Sequence, residues 1–249
     1  MTVAALSQVN IAKGGLDLRA VFLLCIAAIC AMSLPNLLDP MIRYDDYPAL
    51  FAEGDLFWEK TLNEGRWVNY LWHLRGIVTP AWLNFGAYQA LWALFAAATA
   101  TVVMRQNGLT FFKATLALLI LVSPSALLIS LWFNTLLPGL ALVALFSLLA
   151  CKLSSRNINL LLPIFVVLTF MAYTTYPLLL LVICLYRHDN RSLPKLIALL
   201  TLFYGQLYRC HPIHLLNQLV SPWRVRRSTG RLAGRNASAQ PRRDDRKLP

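Results

Sequence analysis

The chain has 249 residues, of which 58% are hydrophobic and 14% are charged. A soluble domain of this length needs more charge to cover its surface, so the composition excludes an ordinary soluble globular protein. Most of the net charge of +12 comes from residues 209–249, so it does not indicate nucleic-acid binding by the folded part. The five cysteines lie mostly within apolar runs and show neither metal-ligand spacing nor a disulfide framework, so they predict no metal site.

Apolar runs of helical length recur along the chain. Because a helix crosses the hydrocarbon core with roughly 20 residues, we predict an all-α, polytopic transmembrane helix bundle of about seven spans after a cytoplasmic segment at residues 1–19. The predicted spans lie near residues 20–38, 80–104, 114–133, 135–151, 158–173, 175–186 and 193–208. The first run is too long for the apolar part of a signal peptide and no clean cleavage site follows it, so we expect it to be retained.

Three prolines, Pro124, Pro138 and Pro163, fall within predicted spans. A proline in a helix frees a backbone carbonyl, and we expect neighbouring helices to satisfy the freed groups. Only a few uncharged residues, near 132–134 and 173–177, separate two pairs of spans, and they predict tight hairpins.

Basic residues predict the orientation of the bundle. Lys and Arg precede the first span and then collect in every second connection, at 105–113, 152–156 and 187–195. By the positive-inside rule these connections are cytoplasmic, as is the N-terminus, and the loop 39–79 lies outside.

The segment 209–249 departs from this pattern, because it is rich in arginine yet follows a span that should end outside. Such a composition cannot form a packed core and predicts a disordered tail. A basic tail can bind anionic lipid or RNA. The interpretation we favour is that a truncation or a shifted reading frame produced it.

Seven of the nine acidic residues before residue 209 lie in the loop 39–79. The predicted spans hold almost no ionisable groups, which argues against a proton or ion relay through the bilayer. Polar chemistry is therefore expected at the outer face. Within the loop, aromatic and leucine residues recur with helical spacing from Tyr47 to Leu62 and from Trp67 to Val78, interrupted at 63–65. They predict two amphipathic helices on the membrane surface, either as a lid over a site or as a simple cover of the bundle.

Asp45 and Asp46 stand just after the first span, beside Arg43. Two adjacent carboxylates at a membrane surface could supply a general base for a sugar hydroxyl. They could instead hold a divalent cation that neutralises a phosphate. Ordinary loop acids are the commonest case, and composition leaves all three readings open.

The segment Arg43-Tyr44-Asp45-Asp46-Tyr47, followed by Trp58 and by Gly65-Arg66-Trp67, resembles the Gtr-type glucosyltransferases of serotype conversion. These are polytopic enzymes that decorate O-antigen or related lipopolysaccharide structures. The resemblance is specific over about thirty residues and only architectural up to residue 208. Tyr176-Pro177 departs from the Tyr-Gln expected after the fifth span.

The resemblance implies a GT-C-like membrane enzyme of the bacterial inner membrane. Its donor would be a polyprenyl-phosphate-linked sugar, glucose in this family, flipped across the membrane by a partner protein, and its acceptor a surface polysaccharide. Asp45 or Asp46 would act as the general base, and Arg66 and Arg43 would neutralise the departing phosphate. Trp58 and Trp67 would stack on sugar, or would only anchor the loop at the interface.

Full-length members of that family carry more spans, so the resemblance also implies a shortened form of the enzyme, and it leaves both an active and an inactive form open. Two classes of alternative remain. One is a transporter or flippase component, which predicts polar residues along the spans. The other is a non-catalytic membrane protein fragment.

Overall fold

The computed structural model describes residues 3–52, 64–104, 110–187 and 192–208, and its regular elements in these ranges are all helical. The helices are α1 (Val3–Leu38), α2 (Tyr47–Leu50), α3 (Trp67–His73), α4 (Ala81–Met104), α5 (Thr110–Leu121), α6 (Pro124–Ile129), α7 (Phe133–Lys152), α8 (Ser155–Phe170), α9 (Tyr176–Tyr186) and α10 (Leu193–Tyr208). Two short 3-10 turns, Tyr44–Asp46 and Ser130–Trp132, precede α2 and α7. The prediction of an all-α chain is confirmed for these ranges.

Three stretches of the described chain are long and apolar enough to cross a membrane, namely Asp17–Leu38, Ala81–Met104 and Ala126–Lys152. The other apolar helices, α5, α8, α9 and α10, have 10–17 residues. Large apolar side chains such as Leu24, Met32 and Leu128 lie on the outside of the bundle. An exterior of this kind is stable against lipid and unfavourable against water, which supports a membrane protein.

The predicted span 114–133 is wrong as a single helix. It begins earlier, at Thr110, and ends at Leu121. Pro124 disfavours helical geometry in the residue before it, and Ser123 accordingly has extended backbone angles. The Ser123 side chain accepts a hydrogen bond from the Ala126 N–H and thereby starts α6. The helical stretch that follows leads directly into α7.

The centre of the bundle is the packing of α4 against α7. A row of alanines, among them Ala93, Ala96 and Ala100, is fully buried on α4 and permits a close approach of the two helices. The α8–α9 hairpin packs against α7 as well, and α1 packs against α4 and α5. Helix α7 therefore joins the α8–α9 hairpin to the group formed by α1, α4 and α5.

The described parts of the first outer loop depart from the predicted form. Helix α2 begins at the predicted Tyr47 and ends at Leu50, and the part of the predicted helix from residue 53 to Leu62 lies outside the described residues. Helix α3 ends at His73 rather than Val78. The predicted interruption before α3 is confirmed at Gly65, whose φ is 69°. Helix α3 buries its polar residues Asn69 and His73 and exposes Leu71. An apolar outer face of this kind suits the membrane interface.

Polar contacts mark the two ends of the bundle. At one end, Lys113 pairs with Asp17 at 2.8 Å. At the same end, Arg187 donates hydrogen bonds to the carbonyls of Ala150 and Leu153. The other end, here named the loop end, is where residues 43–52 and 66–84 meet the segments 130–136 and 171–176. The connections at these two ends of the bundle thus alternate along the chain in the order that the basic residues predict.

Candidate functional site at the loop end

The site is organised around the carboxylate of Asp46, which is fully buried. One carboxylate oxygen, Oδ2, accepts hydrogen bonds from the backbone N–H of Asn134 at 2.9 Å and from its side-chain Nδ2 at 2.8 Å. The other, Oδ1, accepts from the backbone N–H of Thr135 at 2.7 Å. These backbone groups lie in the first turn of α7, where no carbonyl of the helix can receive them. Asp46 therefore caps α7 from a distant part of the chain.

Two opposing effects act on the pKa of Asp46. Burial raises the pKa, because it removes water from the charged carboxylate, and hydrogen bonds from Thr135 and Asn134 act in the opposite direction. Both oxygens face N–H donors, so Asp46 does not fit the ligand shell of a divalent cation, which requires lone pairs directed at the metal. Within the described ranges, no three side chains of His, Cys, Asp or Glu come together.

Asn134 joins this carboxylate to the rest of the loop end. Pro138 has no N–H, so the Asn134 carbonyl four residues earlier lacks its helical donor. The indole Nε1 of Trp72, on the neighbouring helix α3, donates to that carbonyl at 2.9 Å, so the prediction that neighbouring helices satisfy the freed carbonyls is confirmed at Pro138. The side-chain oxygen of Asn134 accepts from Asn84 Nδ2 at 2.8 Å. Asn84 in turn accepts from the Thr79 hydroxyl at 2.6 Å.

Two arginines predicted for phosphate binding lie at the loop end, each against an aromatic ring. The guanidinium of Arg43 lies 5.3 Å from the ring centre of Trp132. That of Arg66 lies 4.9 Å from the ring centre of Tyr173, and its Nε is 2.9 Å from Glu64. A guanidinium at this distance from a ring centre is attracted by the electrons of the ring, which favours the observed position of each side chain.

Arg75 and His73 hold the first loop together. Arg75 donates to the carbonyls of Leu50 at 2.9 Å and Trp72 at 3.0 Å, and its guanidinium stacks on the Trp72 ring at 4.3 Å. His73 is fully buried, and burial lowers its pKa, an effect that the nearby carbonyl of Pro48 opposes. A neutral imidazole is therefore the stable form in the folded protein.

The structure brings together Arg43 and Asp46 in neighbouring positions of one turn and places Arg66 beside the 171–176 turn. Trp67 is the first residue of α3 and is partly exposed. Trp58 lies outside the described residues, and so does the side chain of Asp45, whose backbone belongs to the turn Tyr44–Asp46.

Sequence reasoning missed Asn134, Trp72 and Asn84 as members of the site. One signal could have located Asn134, because a proline four residues later frees its carbonyl. The identity of the donor, Trp72, depends on packing between distant segments.

Compared with known protein-family models, curated proteins and solved structures, the chain has no match.

Proposed function

We propose that this chain is a membrane glycosyltransferase that moves glucose from a polyprenyl-phosphate donor to O-antigen or a related surface glycan. In this proposal the bundle has about seven spans, and the loop end lies at the outer face of a bacterial inner membrane. The observation that carries the proposal is the capped acidic turn. Asp46 fixes the turn Tyr44–Asp46 to the start of α7, with Arg43 directly beside it.

The reaction requires a base and a leaving group. The oxygen of an acceptor hydroxyl attacks the anomeric carbon of the donor sugar, and the bond from that carbon to the phosphate oxygen breaks. Polyprenyl phosphate leaves with the electron pair, and the hydroxyl proton passes to a carboxylate. We assign that proton transfer to Asp45, because the oxygens of Asp46 are occupied by three N–H donors.

The charge on the departing phosphate would be neutralised by Arg66 and Arg43. A planar guanidinium binds two phosphate oxygens at once, which a lysine cannot do. The contact of each arginine with a ring supports this role, because a side chain that is already held in place loses less conformational freedom on binding. Trp67, and Trp58 in the undescribed part of the loop, would stack on the sugar or anchor the loop.

The test uses membranes from cells that produce the full chain, with radiolabelled polyprenyl-phosphate glucose and lipopolysaccharide acceptor. We expect label transfer to be abolished by D45A and reduced at least tenfold by R66K. The control is D39N, which removes an exposed acid of the same loop and should leave transfer unchanged. Absence of transfer by the unmodified chain, or unchanged transfer by D45A, would contradict the proposal. Transfer that EDTA abolishes would show a metal requirement outside the Asp46 cap.

A further inference from the structure

Asn134 has every polar group engaged, although it is fully buried at the junction of three segments. Its backbone N–H and side-chain Nδ2 donate to Asp46. Its carbonyl accepts from Trp72, and its side-chain oxygen accepts from Asn84. The residue thus links the acidic turn, the helix α3 and the start of α4 to the start of α7. No water reaches these groups, so a lost hydrogen bond cannot be replaced by solvent.

We propose that Asn134 is a positioning residue, and that the Asp46–Asn134 pair sets the place of the acidic turn without touching substrate. This inference deepens the proposed function, on which it rests for the role of the turn. The geometry favours asparagine at this position, because its side chain must supply a donor to the Asp46 carboxylate and, at the same time, an acceptor to Asn84. Leucine could offer neither of these groups.

Exchanging the two side chains tests the proposal. In D46N alone, the amide NH₂ faces an N–H donor whichever way the amide is turned, because Asn134 and Thr135 present only donors to that position. In N134D alone, two carboxylates meet where the present distance is 2.8 Å, and they can coexist only by sharing a proton.

The double variant D46N/N134D restores most of the network. The amide of residue 46 donates to the new carboxylate at 134, which still accepts from Asn84. The negative charge stays in the first turn of α7, where the helix dipole favours it. One bond, from the backbone N–H of residue 134, is lost.

Thermal unfolding in detergent gives the first readout. We expect each single variant to lower the midpoint by on the order of 10 °C, and the double variant to recover more than half of that loss. N134D alone should also regain stability as the pH is lowered, because the proton that the two carboxylates share becomes available. The matched controls are D39N and N157D, which make the same changes at exposed positions and should leave the midpoint unchanged.

Glucose transfer gives the second readout. We expect each single variant to lose transfer per folded molecule at least tenfold, and the double variant to recover it. Recovery of stability without recovery of transfer would overturn the proposal, because it would mean that the Asp46 carboxylate itself reacts. Additive losses of stability would overturn the pairing. If the unmodified chain transfers no sugar, the proposed function fails, whereas the unfolding measurements still decide whether Asn134 and Asp46 act as a pair.

Discussion

A close approach between α7 and α9 depends on the absence of a side chain at Gly139. A Cβ atom at that position would lie 2.5 Å from the ring of Tyr176 and 2.8 Å from the Cβ of Ala172. Both distances are well below van der Waals contact, and the ring is buried, so it cannot swing away. The Tyr176 hydroxyl also donates to the Leu136 carbonyl at 3.3 Å, which holds the ring over Gly139.

The substitution G139A should therefore destabilise the protein. Overpacking of a buried site costs about 1–3 kcal/mol, against which alanine gains up to about 1 kcal/mol over glycine in helix propensity. The net loss of about 1–2 kcal/mol corresponds to a fall of roughly 2–8 °C in the unfolding midpoint of a chain of this size. Thermal unfolding in detergent, followed by size-exclusion of the surviving protein, measures it.

Gly86 provides the matched control, because it also lies in a long apolar helix and a Cβ there meets nothing within 4 Å. G86A should keep the midpoint or raise it slightly. Combining G139A with Y176A should cost less than the sum of the two single losses, because the ring that causes the clash is gone. A midpoint for G139A equal to that of G86A would refute the reasoning, and so would strictly additive losses.

Three further predictions concern buried polar groups. W72F should cost about 1–3 kcal/mol by leaving the Asn134 carbonyl without a donor, whereas W82F, at an exposed tryptophan, should change the unfolding midpoint little. K113M should lower the unfolding midpoint, because it leaves the charge of Asp17 without the lysine of the pair. D17N/K113M should restore much of that loss, because the second change removes the other charge. A double variant less stable than K113M would contradict this. Burial holds the pKa of His73 in the folded protein below the ordinary 6.5 of the unfolded chain. At pH values between the folded and the unfolded pKa, the unfolded chain binds more protons than the folded one. The free energy of unfolding should therefore fall as the pH drops below about 6.5. H73N should flatten that dependence, and an unchanged slope would contradict the assignment.

The features of the fold that could be predicted from sequence are those that depend on local pattern. Apolar length predicts that α4 crosses a membrane, and the alternation of basic residues predicts which connections share an end of the bundle. Pro124 ends a helix for a local reason that a hydropathy pattern overlooks. Helix α3 is shorter than its apolar spacing predicts, because Gly76 takes up a positive φ of 67° soon after it.

The candidate site could be predicted only in part. The resemblance to a family motif predicts Arg43, Asp46 and Arg66 as site residues, and the structure places all three at one end of the bundle. The cap that Asp46 forms could not be predicted, because its partners lie 88 and 89 residues later in a segment whose sequence predicts only a tight hairpin. Contacts of this range depend on how α4 and α7 pack, which no single segment encodes.

The capping of α7 by Asp46 has a consequence for biogenesis. The acidic turn is synthesised 88 and 89 residues before the two backbone amides that fix it, so it leaves the ribosome before those groups exist. A nascent chain in which only α1 and α4 have inserted thus contains the acidic residues but not the amide groups of α7 that order them. Docking of α7 and ordering of the acidic turn are therefore one event, so a chain that stalls before α7 does not display the finished surface.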